Sequence, residues 1–178
     1  MAILKIARMG HPVLLEKALP VADPQAAEIQ LLLADMVETL QDAGGVGLAA
    51  PQVYRPLRMF IWHLPAARAE NGVAVPLSVV VNPEITPLSE TRELAWEACL
   101  SIPGLRAAVP RYKDIRLTGL DARGTPFTTA LSGFAARIVQ HETDHLDGIL
   151  YPMRMSDFRY LGFNEETERY NQPLPEIV

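Results

Sequence analysis

Cysteine is almost missing from this chain: Cys99 stands alone among 178 residues, beside only four histidines. A single thiol forms no intrachain disulfide, so the fold must rest on its core, and the thiol itself suits a reducing compartment or a chemical task. Long apolar runs are missing too. No stretch approaches the roughly 20 consecutive apolar residues of a transmembrane helix, and the start, MAILKIARMGHPVL, has no apolar run ending at a small-residue cleavage site. Positive charge is in deficit, 16 basic against 21 acidic residues for a formal net charge of −5, which speaks against a general affinity for nucleic acid phosphates. There is no internal repeat and no low-complexity tract. With 49% apolar and 21% charged residues the chain reads as one ordinary globular domain, since domains commonly run to about 100–150 residues.

What is present begins with an amphipathic helix. Asp23-Pro24 offers an N-cap followed by proline, Ile29, Leu32, Leu33, Met36, Val37 and Leu40 keep helical spacing, and Gly44 suits a left-handed C-terminal position. Short apolar runs broken by Pro, Gly and Asp follow: Met59 to Trp62, Val79 to Val81 before Asn82-Pro83, Ile115 to Leu120 and Phe127 to Leu131. Asp121 to Gly124 reads as a hairpin turn, and residues 64 to 76 as a surface loop. Fifteen prolines favour short strands over a helical bundle. A second helix is expected from Ser132 to about Gly148. The pattern predicts an α+β fold, with mostly antiparallel short-stranded sheets packed around a central HExxH-bearing helix after the N-terminal amphipathic helix. Residues 1–163 are expected to form a single catalytic domain and 164–178 a polar, frayed tail.

That second helix carries His141-Glu142-Thr143-Asp144-His145. Four residues apart, the two imidazoles project from one helix face within reach of one metal ion, and Glu142 lies beside them to handle the proton of a water. A catalytic metal ordinarily has three protein ligands. Two residues compete for the third place: Glu165, 20 positions beyond His145, would make a thermolysin-like metallopeptidase, and Cys99, 42 positions before His141, would make a Cys-His-His set. A thiolate suits a soft or borderline metal better, although a lone cysteine is also commonly a small buried hydrophobe. His11, His63, Trp96 and Ser101 receive structural readings, since neither histidine has a partner at ligand spacing. Glu97 is either an exposed charge on an edge strand or a carboxylate that orients Arg106 or another basic group near the site.

Two further motifs bear on the choice. Residues 45–52 read GVGLAAPQ and residues 97–101 read EACLS, and with HETDH they stand in the order and spacing of the three signature motifs of the peptide deformylases. The chain resembles that family over about Ile6 to Phe163, Asn82-Pro83 and QHETDHLDGILY included. The resemblance implies that Cys99, His141 and His145 hold one divalent metal, Fe²⁺ as the usual ion with Zn²⁺, Ni²⁺ or Co²⁺ as other occupants, and that Glu142 is the proton carrier. It implies that Gln52 and the backbone N–H of Leu100 stabilise the oxyanion, that Gly45, Val46 and Gly47 pair with an extended substrate, and that Val46 and Ile138 line the pocket for methionine. The substrates implied are N-formylmethionyl nascent peptides, met at the ribosome exit, with formate as product. No nucleic acid or membrane partner is expected, and a cytoplasmic, bacterial-type setting is, with a processed organellar form left open. The competing readings are the Glu165 metallopeptidase and a non-catalytic metal- or peptide-binding module.

Two positions depart from the commonest pattern. Arg137 stands where some members have an apolar residue, in a run, Ala136-Arg137-Ile138, similar to the mitochondrial-type branch. Ala98 replaces the family's glycine between the glutamate and the cysteine. A methyl there narrows the approach to the metal or shifts the backbone presenting Leu100. The Ala98→Gly variant is therefore expected to bind metal no more tightly and to accept bulkier first residues; kinetics unchanged across a panel of formyl peptides would refute that steric reading.

Overall fold

A computed structural model of the chain describes residues 2–69, 72–170 and 173–174. Among these residues the elements run α1 (Ala27–Ala43), β1 (Gly47–Ala49), β2 (Met59–Leu64), β3 (Val75–Pro87), β4 (Arg92–Cys99), β5 (Ile102–Tyr112), β6 (Asp114–Leu120), β7 (Pro126–Ser132), α2 (Gly133–Leu146), β8 (Leu161–Phe163) and α3 (Asn164–Arg169). The strands form two sheets, a five-stranded one in the order β1-β2-β3-β6-β7 and a three-stranded one in the order β4-β5-β8. Each neighbouring pair is antiparallel. The architecture is mixed α and β with antiparallel sheets, as the punctuated apolar runs predict.

β2 shows how the sheet serves two helices at once. Successive strand residues point to opposite faces, so Phe60 and Trp62 pack with Ala136 and Val139 of α2, while Met59 and Ile61 pack with Leu32, Leu33 and Met36 of α1. A run that is apolar at every position is what a strand covered on both faces requires. A third cluster lies under the three-stranded sheet, where Ala107 and Val109 meet Leu14, Leu150 and Tyr151. α2 contacts β1 and β2 on one side and β5 on another, and its residues from Ala136 to Leu146 are all buried although Arg137, Gln140, His141, Glu142, Asp144 and His145 are polar or charged.

Several boundaries differ from the sequence-based expectation. α1 opens at Ala27 rather than after Asp23: Asp23 instead closes a turn, accepting from Gln25 N–H at 2.8 Å, and the N-cap Ala26 has no side-chain acceptor to offer. Gly44 ends α1 in the left-handed conformation, as expected. β3 does not stop at Asn82-Pro83 but passes through it by a register shift between Val81 and Glu84. Asn82 takes a φ of 50° there, and its side-chain amide exchanges two hydrogen bonds with the Val21 backbone, both at 2.9 Å, anchoring the irregular stretch to the segment before α1, while Pro83 has no N–H to give the ladder. The expected frayed tail begins with an ordered helix: α3 is held when Thr167 caps back to Phe163 O and meets Arg106. The rest of that expectation falls on residues 171–172 and 175–178, outside the described residues.

Gly148, just past the end of α2, has a φ of +72°, and a Cβ there would lie 2.5 Å from the Leu15 carbonyl oxygen. Gly44 shares the left-handed backbone with nothing within 4 Å of its would-be Cβ. Gly44→Ala should cost only the left-handed penalty, about 1–2 kcal/mol. Gly148→Ala adds a backbone collision and should lower the melting temperature by about 4–8 °C or more; equal shifts in calorimetry would show the strap around Leu15 to be freely displaceable.

Candidate metal centre

α2 brings His141 and His145 one turn apart, and β4 ends at Cys99 opposite them, where the register with β5 breaks between Ala98 and Cys99. The ligand atoms of Cys99, His141 and His145 all lie within 4.8 Å of one another, the one such group of three among the described residues. Cys99 Sγ is 3.2 Å from His145 Nε2. Burial alone would raise the Cys99 thiol, but the facing imidazoles of His145 and His141 outweigh it and hold the group well below its ordinary range. A sulfur disposed to be thiolate beside two imidazoles fits a divalent transition metal. Glu165, the rival ligand, lies exposed on α3 and is not in this group.

Behind the ligands sits Glu97, whose side chain is 4% exposed. Its Oε2 accepts from His141 Nδ1 at 2.8 Å and from Arg111 Nη2 at 3.0 Å; its Oε1 accepts from Arg111 Nε at 2.9 Å and Arg137 Nη1 at 2.8 Å. Burial works to raise this carboxyl, and the hydrogen bonds from His141 and Arg111 overcome it, leaving the group far below the usual carboxylate range. Engaging Nδ1 leaves Nε2 of His141 free for a ligand and sets the ring's orientation. Arg111 continues to Asp144, which also receives Arg154, and Arg137 reaches the carbonyls of Val109 and Glu93. Glu97 thus orients buried cations, but they are Arg111 and Arg137; Arg106 turns away to Thr167 and Glu168, and the exposed edge-strand alternative for Glu97 is wrong. One clue to Arg137 was available, since it precedes His141 by four on the same helix face. Nothing in the order of residues ties Arg111 to Glu97.

Cys99 and His141 border a cavity of about 440 Å³ whose lining also includes Gly45, Val46, Gly47, Gln52, Leu100, Ile138 and Glu142; His145 lies buried beyond it. Every one of the remaining singled-out residues is therefore gathered at one place. Glu142 Oε2 is buried without a partner, and burial pushes the carboxyl up to about 7 against the opposing pull of His141 and His145. Gly47 makes room for it: a Cβ there would be 2.2 Å from Glu142 Oε1. Gln52 has its Oε1 on Ala49 N–H at 2.8 Å, and its Nε2 faces Ser101 Oγ at 3.1 Å and Cys99 Sγ at 3.5 Å. Residues given structural readings also take part. Trp96 lines the cavity under Arg106, Ser101 holds the Gln52 amide, and His63 Nε2 bonds Gly45 O at 3.0 Å. His11 does remain structural, capping the turn at Pro12–Leu14.

Residues 3–160 match the model of a family described as polypeptide deformylase. "Peptide deformylase 1" of Nitrosomonas europaea is 45% identical over 166 residues, 92% of this chain and 93% of that protein. "Peptide deformylase 2" of Ralstonia nicotianae is 48% identical over 164 residues, with the same coverage. Among solved structures, a Met-Ala-Ser-bound class I type b peptide deformylase from Acinetobacter baumannii superposes with a TM-score of 0.80 at 37% identity, covering 86% of this chain and 98% of that one. The peptide deformylase of Thermus thermophilus does so at 0.75 and 42% identity, over 86% of each chain.

The geometry makes Glu97→Gln a sharp test. Arg111 and Arg137 would then be buried with one carboxylate fewer, a loss of about 3–5 kcal/mol, and with one accepting oxygen in place of two, and an N–H among the donors, His141 would no longer be firmly oriented, lowering metal affinity about 10–100-fold. Chemical denaturation and competition with a chelator measure the two; a stable variant with undiminished metal affinity would remove Glu97 from its place behind the ligands.

Proposed function

The chain belongs to the peptide deformylase family, and on that footing we propose that it removes the N-formyl group from the N-terminal methionine of newly made proteins, releasing formate. The observation that carries this reading is the convergence of a thiol and two imidazoles with an unpartnered, buried Glu142 oxygen at one cavity. Cys99, His141 and His145 would hold one divalent ion, Fe²⁺ on the family resemblance, although the same donors suit Zn²⁺, Co²⁺ or Ni²⁺. Bound there, the ion supplies Lewis acidity, polarising the formyl carbonyl and making water nucleophilic near neutral pH.

The chain's own residues do the rest. Glu142 accepts the proton of the attacking water and delivers it to the departing α-amine as the C–N bond breaks; a carboxyl raised toward neutrality suits both halves of that transfer. The oxygen of the formyl carbon gains charge on the way. The Gln52 amide and the Leu100 backbone N–H are the donors proposed for it, each such donor being worth about 3 kcal/mol. Gln52 is held ready, its carbonyl tied to Ala49 so that only N–H groups face the sulfur.

The substrate backbone has an edge to join. Val46 O accepts from His63 N–H on β2, so by alternation the Gly47 backbone groups face the open side of β1. An extended peptide added there pairs without regard to its sequence, while Val46 and Ile138 present apolar surface to the first side chain. Nascent formylated peptides near the ribosome exit are the proposed partners, and the bacterial cytoplasm the proposed setting; no helix among the described residues is long and apolar enough to cross a membrane. Residues 1–163, with α2 as the central HExxH-bearing helix, are read as one catalytic domain.

Cys99→Ser and Glu165→Gln separate this reading from the metallopeptidase alternative. Anaerobically purified Cys99→Ser should lose bound metal and formate release from formyl-Met-Ala-Ser by more than about 100-fold, exceeding the effect of disturbing a group that merely orients a ligand. Glu165→Gln should match the parent in both. Metal lost only from the Glu165 variant would overturn the assignment.

A further inference from the structure

A peptide added along β1 finds the open end of that strand toward Gly44. At its far end Ala49 and the turn Ala50–Val53 are fully enclosed, whereas exposure increases backward from Gly47 through Val46 and Gly45 to Gly44. With the reacting end beside Glu142 and Gly47, a chain that stays paired along β1 runs toward Gly45. There the strand ends, and the Gly45 carbonyl is engaged by His63 Nε2 at 3.0 Å. Immediately beyond lies a second cavity of about 440 Å³, walled by Leu40, Leu64, Pro65, Val75 and Leu77 and open to solvent. Gly45 lines both cavities, and the segment after β2 borders both as well, with Pro65 on the second and Arg68 on the first.

We infer that this second cavity is an exit groove for the nascent chain, taking residues beyond the third and favouring apolar side chains there. The inference rests on the deformylase reading and adds a selectivity to it. At about 3.4 Å per extended residue, three residues of substrate span the stretch from Gly47 to Gly44, so the fourth and fifth reach the groove. Its walls are mostly aliphatic, with no Lys or Arg; Gln41 is the one amide side chain among them, and His63, the one aromatic ring, already serves Gly45. Main-chain pairing at β1 is blind to sequence, and the groove adds a reading of side chains after that pairing ends.

Peptides of equal length and charge provide the test. The parent enzyme should hydrolyse formyl-Met-Ala-Ser-Leu-Leu with a kcat/KM on the order of fivefold above that of formyl-Met-Ala-Ser-Ser-Ser, the scale of a few apolar contacts in an open site. The gain should lie in KM, as for binding made equally in ground and transition states. Leu77 is 42% exposed, so Leu77→Asp can be made without opening the core, and it should abolish the advantage of the Leu-Leu peptide; its melting temperature checks that it folds. Equal kcat/KM for the two pentapeptides in the parent, or an advantage that survives in Leu77→Asp, would overturn the groove. Failure to release formate even from formyl-Met-Ala would instead overturn the activity, and the groove's role with it.

Discussion

One buried carboxylate holds the site and much of the fold in register. Glu97 comes from β4, Arg111 from β5, and Arg137 and His141 from α2, so its four accepted hydrogen bonds join the three-stranded sheet to the helix that bears His141 and His145. An ionised carboxylate out of water is costly unless every lone pair is met. Here each oxygen receives two donors, and the two guanidinium groups are in turn satisfied by Asp144 and by the carbonyls of Val109 and Glu93. Because the charges are mutually dependent, the helix cannot slide against the sheet without stranding one of them. Cys99, two residues beyond Glu97 on the same strand, is thereby placed against His145.

The same constraint accounts for a polar helix deep in the molecule. α2 packs Ala136 and Val139 against Phe60 and Trp62, while the neighbouring helical faces carry the histidines and the arginine network. Of its two carboxylates, Asp144 is paired with Arg111 and Arg154, whereas Glu142 has one oxygen without a partner and is raised by burial. A buried carboxyl whose titration is pushed toward neutrality is where proton transfer is easiest to arrange. Gly47 matters for the same reason, since any side chain there would occupy the space that Glu142 uses.

Much of this was legible along the chain. The periodicity of Ile29 to Leu40, the all-apolar run at Met59 to Trp62 and the spacing of HETDH each follow from local geometry, and the matching elements stand where expected. The failures have definite causes. Asp23 resembled an N-cap but its side chain serves a preceding turn; Asn82-Pro83 resembled a strand end because the contact that anchors this irregular stretch, from the Asn82 side chain to Val21, comes from 61 positions away. Polar residues 164–169 resembled a frayed tail, yet Arg106 anchors them from another element.

Local spacing alone settled that two imidazoles and a carboxylate share one helical face, because an α-helix repeats every 3.6 residues wherever it lies. Composition settled that a lone thiol could form no disulfide within this chain. Whether Cys99 or Glu165 stood nearest those imidazoles depended on distances between elements, and the pairing of β4 with β5 together with the Glu97 network brings the cysteine in, while the glutamate stays exposed on α3. The identity of Glu97's partners was equally beyond local pattern. Arg106 and Arg111 lie on one strand, and which of them faces α2 follows from how the sheet packs against the helix, a property of the folded whole.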